Sequence, residues 1–178
     1  ARVIAVDIDE HRLELARGLG ATHAVNNRAG DAHAQIMAIT GGAGVDVAIE
    51  VIGSPATCEL AQAIIGPGGR MANIGIYSKS VELHKQLLWT RNVTIRMGVV
   101  NTSSIPVLLK MIEASKLDPR RLISHRFPLD EIVRAYDIFR RAADERAIKI
   151  VLTADGAAPA RADEARVRQI VAQVLARM

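Results

Sequence analysis

The chain has 178 residues, 49% hydrophobic and 24% charged, a globular mixture long enough to bury a sizeable core. No apolar run approaches the roughly 18–20 residues that cross a bilayer, which excludes an integral membrane protein. The single cysteine, Cys58, excludes an internal disulfide and a four-cysteine zinc site, and a net charge of +4 with only 3% aromatic residues and scattered arginines argues against a nucleic-acid partner.

Ala1 stands first, and residues 3–6 already read as a buried strand, with no targeting segment before them. A chain that opens inside a core strand reads as the remainder of a longer one; a processed N-terminus is the alternative. A helix over 10–19 follows, closed by Gly20, then a short strand at 23–25 and a helix over 31–40 ended by Gly41-Gly42. Residues 45–51 form a nearly continuous apolar run interrupted by Asp46 and Glu50, the pattern of a strand covered on both faces. Ser54 and Pro55 mark a helix start, as cap and first-turn residue, for a helix to about residue 65. Gly66-Pro67-Gly68-Gly69 reads as a turn before a strand at 70–75. A short helix at 83–88, a strand at 93–97, helices at 104–115 and 129–142 and a strand at 148–152 complete the series. Strands separated by helices of about ten residues imply parallel β-α-β units. Right-handed crossovers then place helices on both faces of one sheet.

After residue 152 the composition changes. Residues 154–162, with Gly156, Pro159 and several alanines, read as a linker. Residues 163–178 read as an amphipathic helix capped by Asp163, with Val167, Ile170, Val171, Val174, Leu175 and Met178 on one face. That stripe needs a partner surface: its own domain, a sister subunit or a docking partner.

Asp7 ends the first strand. A carboxylate there is placed to accept hydrogen bonds from the ribose hydroxyls of an adenine dinucleotide and to repel a 2′-phosphate, favouring NAD over NADP. The alternative is that Asp7 or Asp9 caps the next helix. Arg12, one turn on, either flanks such a ligand or is a solvated helix residue. The Gly-x-Gly-x-x-Gly turn that accompanies such an acid should precede this strand, and Gly41-Gly42-Ala43-Gly44, lying between a helix and a strand, does not replace it. The five histidines have no metal-ligand spacing. Cys58 reads as a small packed residue rather than a nucleophile. From the pattern alone, the chain is a dinucleotide-type α/β domain without visible catalytic groups.

Five segments occur in an informative order: Val3-Ile4-Ala5-Val6-Asp7, Leu19-Gly20-Ala21-Thr22-His23-Ala24-Val25-Asn26, Gly44-Val45-Asp46-Val47-Ala48-Ile49-Glu50-Val51-Ile52-Gly53, Gly66-Pro67-Gly68-Gly69-Arg70 and Leu122-Ile123-Ser124-His125-Arg126-Phe127-Pro128-Leu129-Asp130-Glu131-Ile132. Together they resemble the zinc-dependent alcohol dehydrogenases of the medium-chain dehydrogenase/reductase family, over about residues 1–153. The resemblance implies a Rossmann-type doubly wound parallel sheet and an NAD site. In that site Asp7 is the ribose-binding acid and Arg12 the basic residue that follows it. Val51-Ile52-Gly53 lies against the adenine and ribose side. Ile74-Gly75-Ile76 meets the nicotinamide carboxamide, and Arg96-Met97-Gly98 lies near the nicotinamide. Lys149 either reaches the cofactor phosphates or points to solvent.

The departures from the family are equally informative. The zinc-bearing catalytic domain that precedes the cofactor domain is not in this sequence, so no catalytic group and no zinc ligand is expected in the chain. The first strand and its glycine turn are also lacking. In the 3-2-1-4-5-6 strand order that strand is central, and its two neighbours would be left with unpaired inner edges unless a partner chain fills the gap. The resemblance implies, for the intact protein, hydride transfer between NAD and a small alcohol or carbonyl, with zinc as Lewis acid. A homo-oligomer in the cytoplasm is expected. The alternatives are a zinc-free quinone reductase or polyol dehydrogenase relative, and a non-catalytic interaction module. In the latter the tail helix resembles the encapsulation peptides that target enzymes to bacterial microcompartments.

Overall fold

Asp9 determines where the first helix begins. Its carboxylate accepts the His11 N–H at 2.9 Å, satisfying one of the donors that a helix N-terminus leaves over. In the computed structural model, which describes residues 1–98 and 102–154, this cap separates strand β1 (Ile4–Asp7) from helix α1 (Glu10–Gly18). The chain reverses at Gly20, where φ is 109°, and returns as β2 (His23–Asn26). The return is fixed by Thr22, whose N–H and hydroxyl both donate to the Val3 carbonyl at 2.9 Å while its hydroxyl oxygen accepts the Val3 N–H. β1 and β2 then run parallel, with Ile4 opposite His23 and Asp7 opposite Asn26.

Helix α2 (Ala32–Ile39) leads through Gly41 and Gly42, both at positive φ, to β3 (Val45–Glu50). Helix α3 (Pro55–Ile64), β4 (Ile65–Asn73), the short α4 (Lys85–Leu88) and β5 (Thr94–Met97) follow. The predicted start of α3 is borne out by a capping box. Ser54 Oγ accepts the Thr57 N–H at 3.2 Å, and Thr57 Oγ1 accepts the Ser54 N–H at 3.3 Å. Ser54→Ala is expected to lower stability by about 1 kcal/mol, read as a shifted urea midpoint at unchanged slope.

Three expectations are corrected. The strands do not form one sheet. They form three hydrogen-bonded sheets, β1-β2, β3-β4-β5 and β6 (Ile123–Pro128) with β7 (Lys149–Thr153), and every pairing is parallel. Among the described residues β1 pairs only with β2 and β3 only with β4. The parallel β-α-β order is nevertheless Rossmann-type. Second, beyond Val45 the strand β3 is covered on one face only. Ala48 and Glu50 are buried, whereas Val47 and Ile49 are 51% and 60% exposed. An apolar run cannot say which face is covered; here α3 packs beneath Ala48 and leaves the other face open. Third, Gly66-Pro67-Gly68-Gly69 is not a turn ahead of the strand. Ile65 already pairs with Val45, and Arg70 with Val47, so residues 66–69 bulge out of the ladder opposite Asp46. Pro67 has no N–H to give to the ladder, and Gly68 takes a φ of 71°.

Two cores hold the first unit, Ala1–Val100. One gathers Ala48, Cys58, Ala61, Ile65, Met71 and Leu88, with Tyr77 packed against it. The other joins Val25, Ala32, Ile36 and Ile64 with Ile4, Val6 and Val45 at its edge. Helix α2 thus connects the two sheets that no ladder connects.

The second unit, Asn101–Met178, contains α5 (Ile105–Glu113), β6, α6 (Ile132–Arg140) and β7. The sequence reading missed β6. Ser124 ties it to the start of β7, accepting the Ile148 N–H at 2.9 Å and donating to the Lys149 carbonyl at 3.2 Å. Phe127 is buried between the His125 ring, 6.2 Å away and stacked, and the Arg134 guanidinium, 5.3 Å from its centroid. The predicted helix at 129–142 begins with a tight 3-10 turn, Leu129–Glu131, before α6 proper. From residue 155 on, the expected linker at 154–162 and the helix at 163–178 lie outside the described residues.

Candidate cofactor site

Two groups of predicted site residues sit at the C-terminal ends of parallel strands, where β-α-β folds place ligands. The first is at the end of β1. Asp7 Oδ1 accepts the N–H groups of Ile8 at 2.8 Å and Asp9 at 3.0 Å, which fixes the carboxylate against the turn. The capping of α1 belongs to Asp9 alone. Arg12 lies between the two acids, Nη1 at 3.9 Å from Asp7 Oδ2 and Nε at 3.8 Å from Asp9 Oδ2. At these distances Arg12 is neither bidentate nor locked, and its side chain is 42% exposed.

The second group lies where β3, β4 and β5 end together. Glu50 is in register with Asn73, and Asn73 with Met97. Beyond that line the Glu50 carbonyl accepts the N–H groups of Ile74 at 2.8 Å and Gly75 at 3.2 Å. The loops after β3 and β4 meet backbone to backbone. A Cβ on Gly53, whose φ is 84°, would stand 2.3 Å from the Ile76 carbonyl oxygen, and one on Gly75 would stand 2.2 Å from the Gly53 nitrogen. Only glycine permits such an approach. Val51, Ile52, Ile74, Ile76 and Met97 are all more than half exposed at this end. Together they form an exposed apolar rim around glycine backbone.

Beneath the rim lies a residue that the sequence reading treated only as an interruption. Glu50 is 4% exposed, and its carboxylate is surrounded by donors. Oε1 accepts from the Ile52 N–H, the Gly53 N–H and the Thr57 hydroxyl, each at 2.8 Å, and Oε2 from the Tyr77 hydroxyl at 2.6 Å. Burial pushes the Glu50 carboxyl up, but the bonds from Tyr77, Gly53, Thr57 and Ile52 outweigh it and hold it below the ordinary glutamate value. Burial and the bond to Glu50 raise the Tyr77 phenol well above its usual value, so it remains a donor in alkaline solution. A glutamate closing an apolar run immediately before a Gly-Ser-Pro turn was the available signal. Asn73 Oδ1, at the same strand end, is buried without a hydrogen-bond partner.

Lys149 is exposed at the start of β7 in the second unit and is not among the residues the first unit brings together. Among the described residues no three His, Cys, Asp or Glu side chains come together to hold a metal ion. His84 instead pairs with Glu59 at 2.7 Å. No helix of the described residues is long and apolar enough to cross a membrane.

A family model described as zinc-binding dehydrogenase matches residues 1–114. The chain belongs to the zinc-binding dehydrogenase family. Within it, the chain is 34% identical over 146 residues to an alcohol dehydrogenase of Cupriavidus necator, covering 80% of this chain and 40% of that protein. It is 30% identical over 130 residues to a sorbitol dehydrogenase of Bacillus subtilis, covering 72% and 37%. Among solved structures, the zinc dependent alcohol dehydrogenase 2 from Streptococcus pneumonia, in its apo form, has a TM-score of 0.82 at 44% identity, covering 88% of this chain and 46% of that one. An alcohol dehydrogenase from Thermus sp. ATN1 follows at 0.78 and 30%, covering 84% and 43%. The chain therefore spans about two fifths of the length of these curated relatives. The resemblance noted in the sequence is borne out at the level of family and fold.

Proposed function

We propose that this chain holds the dinucleotide of an NAD-dependent, zinc-type alcohol dehydrogenase. The observation that carries the reading is Asp7. Its carboxylate ends a strand of a β-α-β unit with one oxygen fixed by two backbone N–H groups and the other turned to Arg12. Such a carboxylate takes the ribose hydroxyls as donors, and at pH 7 its charge opposes a 2′-phosphate. Val51, Ile52 and Gly53 pack on the adenine and ribose side. The backbone of Ile74, Gly75 and Ile76 meets the carboxamide, and Met97 covers the nicotinamide. Arg12 flanks the ribose without neutralising Asp7.

When bound, NAD supplies the hydride acceptor for a small alcohol, and what these residues contribute is orientation. In this reading the zinc is held by residues outside this chain. The reading extends to a homo-oligomer in the cytoplasm and to a dinucleotide-binding domain over 1–153.

Isothermal titration of NAD and NADP into the full chain tests the proposal, with circular dichroism as the folding check. NAD is expected to bind at least tenfold more tightly than NADP. Asp7→Asn keeps the acceptor for the two N–H groups but removes the charge. It is expected to weaken NAD by about tenfold, the value of a hydrogen bond to a charged group, and to narrow the gap to NADP. A folded chain that does not bind NAD would overturn the reading.

A further inference from the structure

We infer that Glu50 and Tyr77 are positioning residues that set the two glycine loops against each other, so that the loop after β4 is held in place for the nicotinamide end of the dinucleotide relative to the loop after β3 on its adenine and ribose side. The inference rests on the cofactor reading above and assigns a role to residues that reading does not use. The division of labour lies in the two carboxylate oxygens. Oε1 holds the loop after β3, through Ile52, Gly53 and the Thr57 hydroxyl at the start of α3. Oε2 holds the loop after β4, through Tyr77. One rigid carboxylate therefore spans both loops.

Side-chain packing cannot do this work. The loops touch at Gly53 and Gly75, where there is no room for a Cβ. The side chains of Val51, Ile52, Ile74 and Ile76 point to solvent rather than into a core. Their spacing is left to the backbone and to the group that binds it from below. A buried carboxylate is an expensive way to gain stability alone, because apolar residues of similar volume do as well or better. Its directional bonds fix position, which packing at this end does not. Tyr77 suits this role: its ring packs on the core of Ala48, Cys58 and Met71 while only its hydroxyl reaches Glu50.

Tyr77→Phe therefore keeps the packing and removes the second tether alone. The test combines two measurements on the full chain. Amide hydrogen exchange at Ile74, Gly75 and Ile76 is expected to quicken by about tenfold in Tyr77→Phe, while exchange at Ile52 and Gly53 stays as in the wild type. In titrations, NAD is expected to bind about five- to tenfold more weakly, while AMP, which lacks the nicotinamide end, binds within about twofold of the wild type. Glu50→Gln is expected to quicken exchange in both loops. Unchanged exchange and unchanged NAD affinity in Tyr77→Phe would overturn the inference and leave the cofactor reading standing. A parallel loss of NAD and AMP would overturn it too, since that is the mark of a general structural defect. A wild-type chain that binds neither nucleotide overturns the cofactor reading and this inference with it.

Discussion

Glu50→Ala is expected to destabilise the first unit by about 3 kcal/mol or more, because it leaves four donors facing a cavity: two backbone N–H groups and the hydroxyls of Thr57 and Tyr77. Urea unfolding measures it. Glu50→Gln should cost less, since an amide oxygen in the place of Oε1 still accepts from Ile52, Gly53 and Thr57, and the Tyr77 hydroxyl can turn to accept from the NH₂. The two variants also separate the contribution of charge. Glu50 is depressed below its ordinary value in the folded state, so the unfolded chain binds the proton more readily. Its stabilising contribution is therefore complete above the unfolded value of about 4.3 and is lost as pH falls through the lower folded value. The wild type should lose its stability advantage over Glu50→Gln progressively below about pH 4. A constant advantage from pH 7 down to pH 3 would mean that the carboxylate is not the origin of the difference.

The outline of the fold was legible because its signals are local. Ser54-Pro55 starts α3 and Gly20 ends α1 through backbone preferences that neighbouring residues alone impose. Asp7 was legible for the same reason, as an acid directly after an apolar strand. What the sequence withheld depends on partners far along the chain. Glu50 finds Tyr77 27 residues later, and nothing in either neighbourhood announces the other. The open face of β3 is likewise a matter of what lies above Val47 and Ile49, which a hydropathy pattern cannot contain. The ladder decided the fate of Gly66-Pro67-Gly68-Gly69: local chemistry indicates a turn, and pairing on both sides makes it a bulge. β6 was missed although Ile123, His125 and Phe127 alternate with Ser124 and Arg126, because six residues ending in proline give a weak period-two signal. The glycines of the site were visible, but their closeness was not.

Gly53→Ala draws directly on that closeness. Two costs are added at once. The left-handed φ of 84° carries about 1–2 kcal/mol for any residue with a Cβ. The new Cβ would also stand 2.3 Å from the Ile76 carbonyl oxygen, with the Ile76 nitrogen 2.7 Å away, so the two loops must separate. Neither contact is with a flexible side chain that could swing aside. Loss of about 3 kcal/mol or more in stability and of at least tenfold in NAD affinity is expected. Gly68→Ala is the matched control. Its φ of 71° imposes a similar conformational cost, but its Cβ would meet nothing within 4 Å, and it lies in the β4 bulge away from the loop contact. It should lose only about 1–2 kcal/mol and bind NAD as the wild type does. The difference between the two variants is then the contribution of loop contact alone. Equal losses in stability and equal NAD affinities would show that backbone conformation, and not the meeting of the two loops, is what these glycines provide.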